Sequence, residues 1–454
     1  MLETPKRPSY NEFGGGIRMS LHHFKHTIQT HRGLMHLLIF LKWLLLSGLA
    51  GLVAGFIACL FSISLGFVTT CFQTYPWLVF GLPVGGLAIV ALYHLAGIQK
   101  SRGTNLVFSA IHRQEKIPLV MAPLIFLSTV ITHLFGGSAG REGAALQLGG
   151  SIAQNLGSAL HLKPKDLNIL VMCGMSAAFA ALFGTPVTAA IFAMEVVSVG
   201  IMHYSALVPT AIASFTAVEI AQWMGLEAEH FQVGPLPPTT LDMVARVALL
   251  ALLLAWLSIL FCNVMHEVSH FLEKHFPNPY GRVVAGSLVL IVLTLIFGTD
   301  YNGAGMPVIT RAIEQSTTRP EAFLLKILFT SITLGCGFKG GEIVPSFYIG
   351  ACFGCLVAPY LGIPAQFGAV IGLMILFCGV TNCPMTSMFL VIELFGYHEL
   401  ILILVANAIG YMLSGYHGLY SEQKIMYSKF STTFIDNPTN QAPEVEQTTN
   451  FLDN

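Results

Sequence analysis

Polar residues in this chain of 454 residues are gathered into short clusters between long apolar runs, a spacing that predicts a series of membrane helices. The first run, 37–72, is apolar apart from Lys42. It exceeds the roughly 20 residues that an upright span needs, so it predicts a tilted or broken helix. Residues 76–96 predict a second span and 117–135 another, and 167–199 is interrupted at Gly184-Thr185-Pro186, where proline breaks or kinks a helix. Residues 206–224 form a span, and the acidic, proline-rich LEAEHFQVGPLPPTT after it is an outer loop. Residues 241–276 predict one long helix, apolar first and polar toward its end. The later runs, 283–297, 322–334, 346–361, 365–380, 385–395 and 400–413, are helical and mostly too short to span alone. Short, broken helices are the expected framework of an ion site near the bilayer midplane.

Three landmarks return in the same order at separations of roughly 200 residues, the mark of a duplicated unit. GTNLVFSAI from Gly103 resembles GMPVITRAI from Gly305. GSAGREGA from Gly137 matches GFKGGEIV from Gly337, which sets Glu142 opposite Glu342. GTPVTAAIFAMEV from Gly184 matches NCPMTSMFLVIEL from Asn382, which sets Pro186 opposite Pro384 and Glu195 opposite Glu393. The two glutamates ending these short helices are expected to satisfy donors in both halves. The pattern predicts an all-α polytopic membrane protein with repeats at about 76–225 and 241–414 inside a transmembrane domain 34–429. Polar tails, 1–33 and 430–454, flank it.

Composition narrows this picture. Charged residues are 10% of the chain and AVILMFWYC residues 54%, against about 25% charged in soluble domains. The net charge of −1 argues against a nucleic-acid partner, and the lipid bilayer is the expected one. The nine cysteines lie almost wholly in apolar segments and imply no disulfide framework; Cys352 and Cys355, in IGACFGCLVAP, are packing residues. The start, MLETPKRPSYNEFGGG, shows no cleavable signal peptide. Lys6, Arg7, Arg18, Lys25 and Arg32 place the N-terminal tail in the cytoplasm, with His22, His23 and His26 on a solvated helix face. Lys100, Arg102, Arg113 and Lys116 place the segment 97–116 there too, giving a multi-pass cell-membrane protein.

The densest chemistry is GGSAGREGAALQLGG at 136–150. Gly137, Gly140 and Gly143 recur at every third position, which lets backbone N–H groups converge on something small. A helix starting near Glu142 points its positive end there, so an anion is the natural guest. Arg141 and Glu142 are charges in a region where charges are costly and mostly functional. The competing reading is a tight helix-packing loop with one ion pair.

These residues resemble the CLC family of chloride channels and anion/proton antiporters. GREGA at Gly140 resembles that family's Gly-Arg-Glu-Gly-Pro loop, GGEIVP at Gly340 its Gly-Ile-Phe-Ala-Pro loop, and GTNLV at Gly103 its Gly-Ser-Gly-Ile-Pro loop. GLYSEQ at Gly418 resembles its late segment with a pore-lining tyrosine, here Tyr420, and the likeness runs in order from about residue 37 to 429. The resemblance implies two inverted repeats and a homodimer with one pathway per subunit. It implies an anion held by Thr104, Asn105, Gly143, Ile343, Val344 and Tyr420, with Glu142 as gate, and no cofactor, metal or enzymatic activity.

Departures from the family pattern are informative. Glu342 stands where Ile is usual, Thr104 and Asn105 where Ser and Gly are usual, and Ala144 where Pro is usual. Glu195 is followed by Val196, so the adjacent inner glutamate of many proton-coupled members is absent. A carboxyl in the anion loop together with GREGA resembles the fluoride-exporting bacterial branch, which implies a fluoride/proton antiporter of the bacterial inner membrane, with Glu142 and Glu342 as gating and proton-transfer groups. A protonated Glu342 supplies the strong donor that a dehydrated fluoride demands. The alternatives are a chloride/proton antiporter or chloride channel of the same family and, for Glu342 alone, a structural pair with Lys339. A remote alternative is an intramembrane zinc protease, since His266-Glu267-Val268-Ser269-His270 has the H-E-x-x-H spacing that puts two imidazoles on one helix face. No nearby acidic residue in an apolar segment offers a third ligand.

Overall fold

The computed structural model describes residues 32–98, 102–397 and 400–441; Lys6, Arg7, Arg18, Lys25, the cluster of His22, His23 and His26, and Lys100 lie outside them. Among the described residues are sixteen α-helices. The first half comprises α1 (Arg32–Thr74), α2 (Leu82–Leu95), α3 (Asn105–Arg113), α4 (Met121–Leu134), α5 (Glu142–Ala159), α6 (Pro164–Phe183), α7 (Pro186–Glu195) and α8 (Leu207–Trp223). The second comprises α9 (Leu241–His275), α10 (Pro279–Phe297), α11 (Met306–Glu314), α12 (Ala322–Cys336), α13 (Ile343–Val357), α14 (Ala365–Thr381), α15 (Pro384–Phe395) and α16 (Ile401–Leu413). Seven helical stretches among the described residues are long and apolar enough to cross a membrane, so the chain is a multi-pass membrane protein.

The chain forms two compact units that meet in sequence at Leu46 and Ser47. In the first, the described part is the start of α1, where the Lys42 ammonium lies 5.1 Å from the Trp43 ring centroid. Of the two options for the long first run, α1 is continuous over 43 residues. In the second unit α10 turns Leu288, Val292, Leu295 and Ile296 outward and buries Gly286, Ser287 and Thr294. That is the pattern of a helix whose apolar side faces lipid and whose small residues face protein.

The duplication is visible in the backbone. At the break between α6 and α7, Gly184 adopts φ 71° and Thr185 φ −114°, ψ 79°; between α14 and α15, Asn382 adopts φ 58° and Cys383 φ −118°, ψ 75°. Both breaks need a left-handed residue, which Gly or Asn supplies, followed by a proline at the first helical position. Glu195, at the end of α7, accepts from the amides of Met385 (3.0 Å) and Thr386 (2.8 Å) and from the Thr386 hydroxyl (2.5 Å) at the start of α15. Glu393, at the end of α15, accepts from Val187 (3.0 Å), Thr188 (2.7 Å) and the Thr188 hydroxyl (2.5 Å) at the start of α7. Each short helix is capped by the far end of the other, so the two run antiparallel, as inverted repeats require.

The same duplication sets the tightest helix pairs. Gly149 of α5 meets Gly174 of α6, and Gly350 of α13 meets Gly372 of α14; a β-carbon on any of the four would run into its partner's carbonyl oxygen. These close crossings bury most of α5, α6, α13 and α14, with the first turns of α6 left partly exposed.

A small sheet, which the helical pattern does not predict, closes the C-terminal end. β1 (Ser198–Val199) pairs in parallel with β2 (Lys424–Tyr427), which pairs antiparallel with β3 (Phe434–Pro438). The fold therefore continues to residue 441, past the boundary expected at 429. Cys352 and Cys355 are buried free thiols in α13, in keeping with their reading as packing residues.

Replacing Glu195 or Glu393 by Ala orphans three donors at the start of the opposite helix, at about 1–3 kcal/mol for each buried group left unsatisfied. Thermal denaturation of the purified protein should show a lower midpoint for both variants and a smaller drop for the Gln variants. Unchanged midpoints in both Ala variants would show that these caps do not tie the halves together.

Candidate functional site

The two glycine-rich loops meet head to head. Gly140 N donates to Gly341 O at 2.7 Å and Gly341 N to Gly140 O at 2.8 Å, a two-bond antiparallel bridge on which α5 and α13 both start. The first turns close with Ala145 N to Arg141 O at 2.9 Å and Ser346 N to Glu342 O at 3.1 Å. The amides of Glu142, Gly143 and Ala144 in α5, and of Ile343 and Val344 in α13, therefore have no carbonyl one turn back to accept them. Two positive helix ends face one small buried volume, which favours negative charge there.

The bridge corrects one expectation. Because Gly140 pairs with Gly341, the residues that follow them correspond as Arg141 with Glu342 and Glu142 with Ile343. Arg141 and Glu342 precede their helices with similar angles, φ −114°, ψ −18° and φ −101°, ψ −12°. Matching glutamate to glutamate by identity put the loops one residue out of register. Glu142 and Glu342 are near neighbours across the bridge and not symmetry mates.

Glu142 is fully buried. Its Oε2 accepts from the Arg141 amide at 3.0 Å, its Oε1 lies 3.5 Å from Arg141 Nε without a hydrogen-bond partner, and the Val344 amide also faces the carboxylate. Arg141 is held from its other side by Glu229 at 2.7 Å, an ion pair the sequence did not reveal. The acidic stretch LEAEHF offers several carboxylates, and only the turn that bonds Glu229 N to Phe183 O (3.0 Å) selects this one.

Around Gly143 the other expected residues converge. A β-carbon there would lie 3.1 Å from Gly341 Cα, 3.2 Å from Thr104 Oγ1 and 3.4 Å from Glu342 Oε2. Thr104 Oγ1 donates to Gly143 O at 3.3 Å, and so does Gln147 Nε2 at 3.2 Å, leaving Gln147 Oε1 unpartnered; Gln147 is a site residue that sequence reasoning missed. Its position seven residues beyond Gly140 on a buried helix is the only signal that could have found it. Tyr420 is buried, with an unpartnered hydroxyl within electrostatic reach of Glu342 and Glu142, and its ring meets Phe108 edge-on at 5.1 Å. Ile343 and Val344 are buried at the bridge. The Asn105 side chain is otherwise engaged: its Oδ1 accepts from Glu422 N at 3.0 Å, which leaves its backbone amide, at the head of α3, as the group free to face an anion.

Glu342 is half-buried and opens on a cavity of about 920 Å³ whose lining includes Arg102, Asn105, Gln147, Tyr280, Lys339 and the C-terminal turns of α9. Arg102, from the basic segment that the sequence pattern expects on the cytoplasmic side, stands on the lining of this cavity. Among the described residues Glu342 makes no ion pair with Lys339, whose ammonium lies 5.0 Å from the Tyr93 ring centroid instead. The structural-pair alternative for Glu342 is thus not what the geometry holds. His266 and His270 also line the cavity, with His266 Nδ1 at 2.7 Å from Cys262 O. Among the described residues no group of three His, Cys, Asp or Glu side chains is placed to hold a metal ion.

This chain is similar to several anion-transport proteins. The voltage gated chloride channel family matches it over residues 84–415. A chloride/fluoride channel protein of Pseudomonas syringae pv. tomato is 37% identical over 396 residues, 86% of this chain and 87% of that one. An H(+)/Cl(-) exchange transporter of Vibrio cholerae serotype O1 is 24% identical over 64% of this chain and 67% of that one. The crystal structure of a CLC-type fluoride/proton antiporter aligns with TM-score 0.81 at 33% identity, over 85% of this chain and 98% of that one. A slow cyanobacterial Cl-/H+ antiporter, at 20% identity and TM-score 0.68 over 82% of this chain and 94% of that one, shares the fold.

The space around Gly143 makes a direct prediction. Gly143→Ala puts a methyl against the Thr104 hydroxyl and the Glu342 carboxylate, and it should cut anion efflux from loaded liposomes by about tenfold while leaving the protein folded. Wild-type fluoride and chloride efflux from this variant would show that Gly143 does not border the pathway.

Proposed function

This chain belongs to the voltage gated chloride channel family, and from that premise we propose that it is an anion/proton antiporter that exports fluoride from the cytoplasm in exchange for protons. The observation that carries the reading is the pair of carboxyl groups at one bridge, Glu142 sealed from solvent and Glu342 open to the large cavity. The chloride/fluoride channel relative and the fluoride/proton antiporter structure support the choice of substrate.

The geometry gives each group a task. Fluoride is small and strongly hydrated, so leaving water requires short, strong donors. The amides of Gly143, Ile343 and Val344 with the unpartnered Tyr420 hydroxyl supply neutral ones, Thr104 joins them by turning its hydroxyl from Gly143 O to the anion, and Glu342 adds an O–H when it carries a proton. The carboxylate of Glu142 lies against the Arg141 and Val344 amides as an anion would. Taking up a proton weakens its hold on those donors and frees them for fluoride. Anion and proton thus compete for one set of groups, and such competition is a coupling free energy between the two ions. Gln423 occupies the inner side at Val196, donating to its carbonyl at 2.8 Å, where many proton-coupled relatives of the resemblance carry a second glutamate. That leaves Glu342 as the inner proton group.

In this reading the protein is a homodimer of the bacterial inner membrane with one pathway per subunit and is not an enzyme. The zinc-hydrolase alternative finds no support at His266 and His270, because among the described residues no third His, Cys, Asp or Glu side chain joins them in a group that could hold a metal ion.

The test is purified protein in liposomes, with fluoride and chloride efflux read by electrode beside proton uptake. Wild type should move fluoride with stoichiometric protons, and Glu142→Gln should abolish coupling. Glu342→Gln should stop coupled exchange because the amide donates but cannot release a proton, whereas Glu342→Ile should weaken fluoride transport and admit chloride. Chloride exchange with little fluoride flux in wild type would sink the fluoride assignment, and full coupling in Glu342→Gln would move the proton route elsewhere.

A further inference from the structure

We propose that Thr439 and Asn440, in the polar C-terminal segment, are positioning residues that aim the Tyr420 hydroxyl at the anion and so help to set anion selectivity. The inference rests on the reading of Tyr420 as an anion-lining group and adds a part of the chain that no motif marks.

Tyr420 has no side-chain hydrogen bond of its own, since its hydroxyl is unpartnered and its ring meets Phe108 only by an edge. Where its hydroxyl points is therefore decided by the backbone on either side. That backbone belongs to no helix or strand; Leu419 N donates to Val380 O and Glu422 N to Asn105 Oδ1, both at 3.0 Å, and residues 439 and 440 grip it on the outer side of these bonds at both ends. Before Tyr420, the Asn440 side chain makes two reciprocal bonds to Gly418: Gly418 N donates to Oδ1 at 3.1 Å, and Nδ2 donates to Gly418 O at 2.9 Å. Asn440 N donates to Tyr416 O at 3.1 Å. After Tyr420, the Thr439 amide (2.8 Å) and hydroxyl (2.7 Å) both donate to Gln423 O. Gln423 N closes the loop onto Tyr420 O at 3.0 Å. Thr439 is buried, and a β-carbon at Gly418 would lie 2.8 Å from its methyl, so the clamp is in close contact with the segment it grips. β3 delivers both residues to this place by pairing with β2.

Two features separate aiming from general scaffolding. The clamp brackets Tyr420 within three residues on either side, and Asn440 stands at φ 67°, a conformation that glycine adopts without strain. Asn440→Gly therefore deletes the side-chain bonds without burdening the backbone, and Thr439→Val deletes only the hydroxyl from a side chain of the same shape.

The experiment is a double-mutant cycle on the full chain in liposomes, scored by the ratio of fluoride to chloride efflux. Asn440→Gly and Thr439→Val should each lower the ratio by about tenfold in the wild-type background and by less than about twofold when Tyr420→Ala is already present. Thr439→Ser should restore it. An unchanged ratio in both single variants, or a full further loss on top of Tyr420→Ala, overturns the proposal. If Thr439→Val does not fold, the Asn440→Gly arm decides the cycle alone. If wild type moves chloride and not fluoride, the substrate assignment falls by itself, and the same cycle scored on chloride turnover still decides the positioning role.

Discussion

Two hydrogen bonds between glycine backbones, Gly140 to Gly341 and back, are the constraint on which the rest of this molecule depends. Helix ends buried in an apolar interior cannot turn to water for their first amides, and a single such end is destabilising unless something negative meets it. Joining two ends head to head doubles the problem and localises it. Every free amide of α5 and α13 then faces the same few ångströms, and nothing apolar can satisfy them. The carboxylate of Glu142 is the internal answer, and in the function proposed above a small anion is the external one. A site that holds either by the same donors exchanges one for the other without rebuilding the protein.

The surrounding structure keeps that bridge from relaxing. The glycine crossings of α5 with α6 and of α13 with α14 bring backbones closer than any side chain permits, which fixes the angle at which each helix reaches the centre. The reciprocal caps of Glu195 and Glu393 lock the short helices α7 and α15 end to end. Charge in the interior is thus spent in two ways. Glu195 and Glu393 each have both oxygens occupied by donors of the opposite repeat, whereas Glu142 keeps one oxygen unpartnered. Full satisfaction suits a structural cap, and partial satisfaction suits a group that has to let go.

Much of this was legible in the residues, for identifiable reasons. Apolar runs and glycine-proline breaks are written in local sequence, so the helices, the interruption at Pro186 and the start of α5 at Glu142 were all foreseeable. The caps by Glu195 and Glu393 followed from their matching places in the two halves. What depends on register or on long-range approach did not show. Aligning Glu142 with Glu342 by residue type missed by one position, because equivalence is decided by which glycines bridge. The Glu229 partner of Arg141 and the strand pairing that carries Thr439 to Gln423 join residues well separated in the chain. No periodicity links them.

Register also explains why a symmetric fold yields a one-sided site. With Gly140 equivalent to Gly341, Gln147 of α5 corresponds to Tyr348 of α13. In the first half Gln147 borders the large cavity and leaves an oxygen free. In the second half the same place is filled. The Tyr348 ring is fully buried, close enough to Gly305 that a β-carbon there would lie 2.5 Å from it, and the Lys326 ammonium lies 5.1 Å from the ring centroid. Lys326 donates to Gly303 O at 2.7 Å and Tyr301 O at 3.2 Å, tying down the loop that corresponds to the Thr104 loop. Tyr348 accordingly lines only a small cavity, about 190 Å³ against about 920 Å³ at the matching place of the first half. The larger cavity opens on Glu342, the carboxyl that breaks the symmetry between the two loops. The two ends of an inverted repeat differ only through such substitutions, because the shared backbone by itself makes them alike, while the ion gradients set the direction of net movement.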